Sequence, residues 1–422
     1  MQRRVVVTGI GVISALGRNS AEFWSALCEG RSGIAPIESV DVSKFRFQNG
    51  AEVRGYDLGV YFSDGESRFL DRFTQFALVA ACEALSDSGI DFRPDLLEKT
   101  AVVTGSCVGG QSTEDIGFSD LYRSNRDRVH PLTIPRTMSN AGASYISMKN
   151  GITGPVYTVS TACSSSNHAI GQAFWMVRSG MAELAIAGGS EAPFSYGFLK
   201  AWEAMRVVSP DTCRPFSRDR QGMILGEGGA MLVLEPLESA AARHARIYAE
   251  IVGFGMSSDA NHITQPSSEG PARAMRSALQ DGNVRADAVG YINAHGTGTP
   301  SNDCTETKAI RYVFGAQADK LAVSSTKSMH GHCLGAAGAL EAIATVLALH
   351  TGTLPPTANF TERDPECGLD VIPNHSRSSR VECALSNSFA FGGLNAVLLF
   401  RRFEVESKAN EANTNQEHRS DT

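Results

Sequence analysis

Four stretches of the chain carry side chains able to do acyl-transfer chemistry. VSTACSSSNHAIG, Val159 to Gly171, holds one thiol, Cys163, between an extended β-branched run and a helical pattern through Ala169, Ile170 and Ala173. Strand, tight turn and helix in that order put the cysteine at a helix start. Backbone N–H groups are unpaired there and the helix dipole is positive, so a thiolate is stabilised and the sulfur becomes a better nucleophile. A small buried cysteine between strand and helix is the alternative this stretch leaves open. INAHGTGTP, Ile292 to Pro300, ends a strand in His295 and follows it with Gly and Thr residues suited to close approach by a ligand. SSTKSMHGHCLGAAGA holds Lys327, His330 and His332 ahead of a Gly/Ala-rich helix, and SNSFAFGGLN, Ser386 to Asn395, sets aromatics around a Gly-Gly hinge. A single histidine is more often structural than catalytic, and His262 and His350 are read that way. A helix-start thiol with histidines at a strand–loop and a loop–helix junction is a different matter, because together they can transfer an acyl group.

The elements that must position these residues alternate between strand and helix. The opening stretch 4–14 gives a strand followed by a glycine turn, and a helix with a core-facing stripe covers 71–85. A strand over 100–104 runs into the turn GSCVGG, a polar and loop-rich segment spans 111–136, and a helix covers 138–150. Buried strands are expected at 184–188 and 230–235. The segment IYAEIVGFGMSS (247–258) then resembles the opening VVVTGIGVIS, and VSSTKSMHGHCLGAAGALEA echoes the form of VSTACSSSNHAIGQA. Two such halves imply a duplicated α/β unit: 1–252 carrying the cysteine, 253–403 carrying the histidines and lysine, and a polar, disordered tail over 404–422. The G-I-G near the start lacks the third glycine and the acidic residue of a dinucleotide loop.

Composition bounds the rest. With 422 residues, two lobes or two domains are expected, and 42% hydrophobic with 20% charged residues suits a soluble globular protein. A net charge of −7 argues against nucleic acid as a partner, so an acidic partner must meet a local basic patch. Nine cysteines without a C-x-x-C argue against a disulfide framework or a structural zinc, and for a cytoplasmic, reducing setting. No signal segment and no uninterrupted membrane-spanning run is read, so no membrane role is expected.

In order along the chain, T-A-C-S-S, N-A-H-G-T-G-T, S-S-T-K-S-M-x-G-H-x-x-G-A-A-G and N-S-F-x-F-G-G-x-N form a specific series. From about Arg4 to Phe400 the chain resembles the β-ketoacyl-acyl-carrier-protein synthases of the type II elongation class, in the thiolase-like superfamily. Similar groups are synthase II of bacterial fatty acid synthesis, the nodulation-type ketosynthases and the ketosynthase α subunits of type II polyketide systems. The resemblance implies an α/β, five-layer α-β-α-β-α fold built from two duplicated halves. It implies that Cys163 accepts an acyl chain, that His295 and His332 stabilise the enolate left when malonyl loses CO₂, and that Lys327 tunes their charge, with Glu341 a counter-charge. Backbone N–H groups of Cys163 and Phe391 would hold the tetrahedral oxyanion, and Phe391 would gate the thiol. Thr297 and Thr299 would bond the amides of a carrier protein's phosphopantetheine arm, unless their hydroxyls serve their own turn. Val108, Phe198 and Thr133 would line the acyl pocket, with Leu132 to Ile134 reaching toward a second subunit. No covalently bound cofactor and no catalytic metal is implied, although some relatives hold a monovalent cation near positions matching Asn293, Glu341, Ser386 and Asn387.

The departures from that pattern are specific. Ala390 stands where the gating loop usually has glycine, which predicts slower or narrower gating, reversed by Ala390→Gly. His330 occupies a position usually filled by a smaller residue. Of the basic residues expected before the first long helix, Arg68 and Arg72 remain beside Phe69, and with Arg206 they could form a reduced patch for an acidic carrier protein. Three readings follow: a homodimeric elongating enzyme of fatty acid synthesis, the catalytic half of a heterodimer with a chain-length factor, or a non-condensing subunit that shapes a partner's pocket. The complete Cys-His-His set disfavours the third.

Overall fold

Alternation along the strands decides the architecture, because successive side chains face opposite sides of a sheet. The computed structural model describes residues 2–124 and 126–404. Its large sheet has ten strands: β1 (Val5–Ser14), β2 (Thr100–Gly105), β3 (Val156–Val159), β4 (Leu184–Glu191), β5 (Gly228–Pro236), β6 (Ala249–Ser258), β7 (Val289–Asn293), β8 (Ala322–Ser324), β9 (Cys383–Ala390) and β10 (Leu394–Arg402). Their order is β8-β7-β9-β10-β6-β1-β5-β4-β2-β3. Read outward from the centre, β1-β5-β4-β2-β3 and β6-β10-β9-β7-β8 have the same senses, two antiparallel pairings and then two parallel ones. The chain therefore repeats one supersecondary unit. Within the sheet, the two sets join among the described residues where Val5–Val7 pair with Ala249–Ile251.

One face of each five-stranded set buries Ala101, Val103, Leu232 and Leu234, or Tyr291, Ala384, Leu398 and Phe400, against two central helices, α4 (Ser165–Ser179) and α8 (Ala337–Thr351). The opposite faces bury Val102, Ile186 and Val233 under α1 (Arg72–Ser88) and α3 (Ala141–Asn150), and Ile292, Leu385 and Val397 under α6 (Glu269–Asp281) and α7 (Pro300–Phe314). That is the α-β-α-β-α layering. The stretch Leu334–Thr351 is apolar and long enough to cross a membrane by composition, yet it is buried between the sheets as the central helix. Small residues let α4 and α8 touch: a Cβ at Gly338 would lie 2.5 Å from Asn167 Oδ1, and the Ser166 hydroxyl bonds the Gly335 carbonyl. This contact brings the cysteine-bearing and histidine-bearing segments to one place.

Three sequence expectations change. The opening glycines lie inside β1 rather than in a turn after it: a Cβ at Gly9 or Gly11 would sit 2.2 or 2.0 Å from the carbonyls of Ala84 and Ala80, so these glycines admit α1 onto the sheet. The segment read as loop is largely helical, with α2 over Gln111–Arg123 and a short helix over Thr133–Thr137. None of the α2 side chains is buried, so the helix lacks the apolar stripe by which helices are read from sequence. The second set of strands begins at Ala249, so a division at 252 falls within β6 rather than between elements. The expected tail lies outside the described residues apart from Glu404.

Candidate active site

Cys163 follows the end of β3, and Ala162 before it sits at φ 50°, a left-handed conformation that costs an alanine energy and turns the chain sharply. Ser164 then caps α4. The thiol is 7% exposed, with the backbone N–H groups of Phe391 and of Cys163 itself near the sulfur. Burial pushes the thiol up to about 11, while Lys327 and the two N–H groups pull the other way. The helix start does not produce the lowered thiol expected from sequence, because desolvation of the anion outweighs it here. Two backbone N–H groups beside the sulfur are available to a tetrahedral oxyanion formed on it.

His295 and His332 face the same cavity as the thiol, their rings edge to face with centroids 5.5 Å apart. His332 Nδ1 accepts the Leu334 N–H at 3.1 Å, so its proton is on Nε2. His295 Nδ1 faces Lys327 Nζ at 3.4 Å, which likewise leaves Nε2 as the donor. Burial holds both imidazoles well below their usual range, and the nearby Lys327 charge adds to this. Two neutral rings therefore present N–H donors rather than cations. Glu306 on α7 fixes the loop beneath them, accepting the N–H groups of His295 and Gly296 at 2.9 and 2.8 Å and Asn387 Nδ2 at 3.1 Å. Lys327, fully buried, is paired with Glu341. Lys327→Ala would strand that carboxylate, and a loss of about 3 kcal/mol or more in unfolding free energy is expected. Urea unfolding of the variant should show it, and Glu341→Leu added to Lys327→Met should recover most of the loss.

His330 is also fully buried, but its Nδ1 meets the Gly331 carbonyl at 2.7 Å and its Nε2 the Thr326 hydroxyl at 3.0 Å. It does not reach the cavity and serves the local turn. Thr297 and Thr299 line the cavity, and their hydroxyls bond each other at 2.8 Å and so serve their own turn. The space is about 320 Å³. Trp202 on α5 (Tyr196–Met205), Arg206 and Gln265 line it as well, which sequence reading missed for the first and third, since nothing in their local pattern marks them. Phe391 stacks on Trp202 with centroids 6.3 Å apart and lies across this space.

The hairpin that carries Phe391 places its conformational demand on Gly392 and Gly393, at φ 83° and 71°, and not on Ala390. The Ala390 departure therefore falls outside the strained positions. Gly393→Ala would put a Cβ 2.6 Å from Asp259 Cβ in a left-handed position. It should move the Phe391 N–H and slow acylation of Cys163 at least about tenfold, read by rapid-quench mass measurement.

Other expected residues are not brought to the cavity. Thr133 is buried with its hydroxyl on the His130 carbonyl at 2.7 Å. The Val108 N–H is held by Glu191 at 3.3 Å. Phe198 packs behind Trp202, centroids 6.1 Å apart. Arg72 is committed internally, paired with buried Glu227 at 2.6 Å and lying over the rings of Tyr56 and Phe76, because its helix start faces the core rather than solvent. Arg68 and Arg206 are exposed. Glu191, unmarked in sequence, is a buried organiser: it accepts from Ser106, Cys107, Val108 and Gly335, and burial raises it to about 7. Glu341 Oε2, Ser386 Oγ and Asn387 Oδ1 are buried without a hydrogen-bond partner. Ser386 and Asn387 are successive residues of β9 and face opposite sides of the sheet, Asn387 toward Glu306 on α7, so these three oxygens do not form one donor set for a monovalent cation.

Comparison with known proteins agrees with this geometry. Residues 2–240 match the model "Beta-ketoacyl synthase, N-terminal domain", and residues 248–361 match "Beta-ketoacyl synthase, C-terminal domain". Nodulation protein E of Rhizobium sp. (strain N33) is 47% identical over 405 residues, covering 95% of this chain and 100% of the relative. The 3-oxoacyl-[acyl-carrier-protein] synthase 2 of Staphylococcus aureus (strain COL) is 40% identical, covering 96% and 99%. Among solved structures, the ishigamide ketosynthase/chain length factor superposes with a TM-score of 0.92 at 37% identity, covering 96% of this chain and 100% of that one. AntDE:AntF, a type II polyketide synthase acyl-carrier protein in complex with its ketosynthase, superposes with a TM-score of 0.87 at 31% identity, with coverage of 96% and 100%.

Proposed function

The chain belongs to the β-ketoacyl synthase family, and from that premise we propose that it extends an acyl chain held on Cys163 by decarboxylative Claisen condensation with malonyl-acyl-carrier-protein. The observation that carries the reading is one buried thiol sharing a cavity with two neutral imidazoles, each with Nε2–H free to donate. In the first half-reaction Cys163 sulfur attacks an acyl thioester, the Cys163 and Phe391 N–H groups hold the oxyanion, and the carrier's phosphopantetheine thiol leaves with a proton. In the second, malonyl thioester loses CO₂, and the electron pair of the broken C–C bond moves onto the thioester oxygen, where His295 and His332 can each donate a hydrogen bond. The enolate carbon attacks the acyl–Cys163 carbonyl, the C–S bond breaks, and the sulfur recovers a proton as β-ketoacyl carrier leaves.

A carrier protein is the partner this chemistry requires, and exposed Arg206 at the cavity rim suits its acidic surface. We read the chain as a homodimer of fatty acid elongation. A heterodimer with a chain-length factor is the second reading, favoured by the likeness to ketosynthase/chain length factor and acyl-carrier-protein complexes. Intact-protein mass after mixing with a graded series of acyl-carrier-proteins tests both. Adducts on the purified chain are expected, with their size range reporting the pocket. No adduct alone, but adducts after co-expression with a second ketosynthase-like subunit, would establish the heterodimer, and none in either case would overturn the condensing role.

A further inference from the structure

Outside the active cavity, the geometry points to an oxidative modification site: Cys304 and Cys367 form a dithiol that hydrogen peroxide closes to a disulfide, slowing the enzyme reversibly. Cys304 lies on the first turns of α7, and Cys367 on the turn over Pro365–Cys367. Their sulfurs are 3.8 Å apart, already in contact. Cys304 is partly exposed and Cys367 is buried, the arrangement of an attacked thiol with a resolving thiol behind it. The guanidinium of buried Arg220 donates to Cys304 Sγ at 3.2 Å through Nη2 and to the Asp364 carboxylate through Nη1. Burial raises the Cys304 thiol, Cys367 and Arg220 act against that, and the Glu366 carboxylate, which accepts from Cys304 Sγ at 3.5 Å, adds to the rise.

Cys304, Cys367 and Asp364 also have the spacing of a metal cluster. The guanidinium argues against one, since it already bonds two of the three donors and its charge would repel a cation. A cation beside a sulfur instead favours thiolate chemistry. The step balances as follows. Cys304 sulfur attacks peroxide, the O–O bond breaks, and sulfenic acid and water form. Cys367 sulfur then attacks the sulfenic sulfur, the S–O bond breaks, and the hydroxide leaves with the Cys367 proton as a second water. Two thiols are oxidised by two electrons and one peroxide is reduced.

The same helix start reaches the active site. Asp303, next to Cys304, accepts the N–H groups of Phe216 at 2.8 Å and Gly298 at 3.2 Å, and Glu306 two residues on holds His295 and Gly296. Drawing the sulfurs from contact to a covalent distance of about 2 Å pulls this turn toward residues 365–367. The loop carrying His295, Thr297 and Thr299 must follow it. A displacement near 1 Å at such groups costs up to about a hundredfold in rate.

The whole protein, treated with hydrogen peroxide and then alkylated, should yield a Cys304–Cys367 cross-linked peptide that dithiothreitol abolishes. Condensation should fall about tenfold or more and return on reduction, whereas Cys304→Ser and Cys367→Ser should keep basal activity and resist that loss. The rate readout rests on the condensing role, but peptide mapping is independent of it, so the two can fail separately. Mapping that finds both thiols free while exposed Cys82 is oxidised would overturn the site. So would an equal loss of rate in Cys304→Ser, which places the inhibition at another thiol, or stoichiometric zinc retained by the untreated protein.

Discussion

Cys163→Ala should abolish acyl adducts and lower condensation by on the order of 10⁴-fold or more, while malonyl-carrier decarboxylation persists. The division follows from the geometry. Cys163 is the only thiol among the described residues that line the cavity, and its loss removes the first half-reaction outright. Decarboxylation needs donors at the thioester oxygen and no nucleophile. In the proposed mechanism those donors are His295 and His332, held by Glu306, Leu334 and Lys327 rather than by the cysteine. Release of CO₂ from malonyl carrier, set beside β-ketoacyl product, measures both halves. If CO₂ release falls in parallel with condensation, the two imidazoles are not acting as an independent oxyanion site.

Much of this site could be read from the chain because its residues sit where a strand ends or a helix begins. Cys163, His295 and His332 are each flanked by a recognisable strand, glycine or Gly/Ala-rich helix, and the structure brings all three into one cavity. The near-repeat of 5–14 in 247–258 is likewise visible as two strands at the centre of a sheet that repeats its order. What escaped has a common physical cause. Glu191 and Glu306 are buried acceptors for backbone N–H groups remote in sequence, and no local pattern shows which carboxylate will be buried. Arg72 looked like a surface cation because its neighbours Arg68 and Phe69 are exposed, yet its partner Glu227 is remote in the chain. The α2 helix was hidden by having no buried face, and the raised Cys163 thiol by desolvation, a property of the closed fold and not of a helix start.

Replacing the imidazoles should act on the other half-reaction. His295→Ala and His332→Ala should each still form acyl–Cys163 but lower malonyl decarboxylation by about 10²–10³-fold, the usual cost of losing one oxyanion donor. Neither ring is needed to hold the first oxyanion, which faces the N–H groups of Cys163 and Phe391. The charge state carries a second test. Both imidazoles are held well below 6.5, so they stay neutral as pH falls from 8 to 6, and an ordinary histidine would be mostly protonated at the end of that range. Protonation of His332 would also set its Nδ1–H against the Leu334 N–H, so the neutral tautomer is built into the backbone. In protein carrying ¹³C-labelled histidine, the Cε1 signals assigned through the two alanine variants should not move between pH 8 and 6. A titration of either signal centred near 6.5 would mean that the ring is exposed to water and acts as a cation, and the enolate would then be held by charge instead of by two neutral donors.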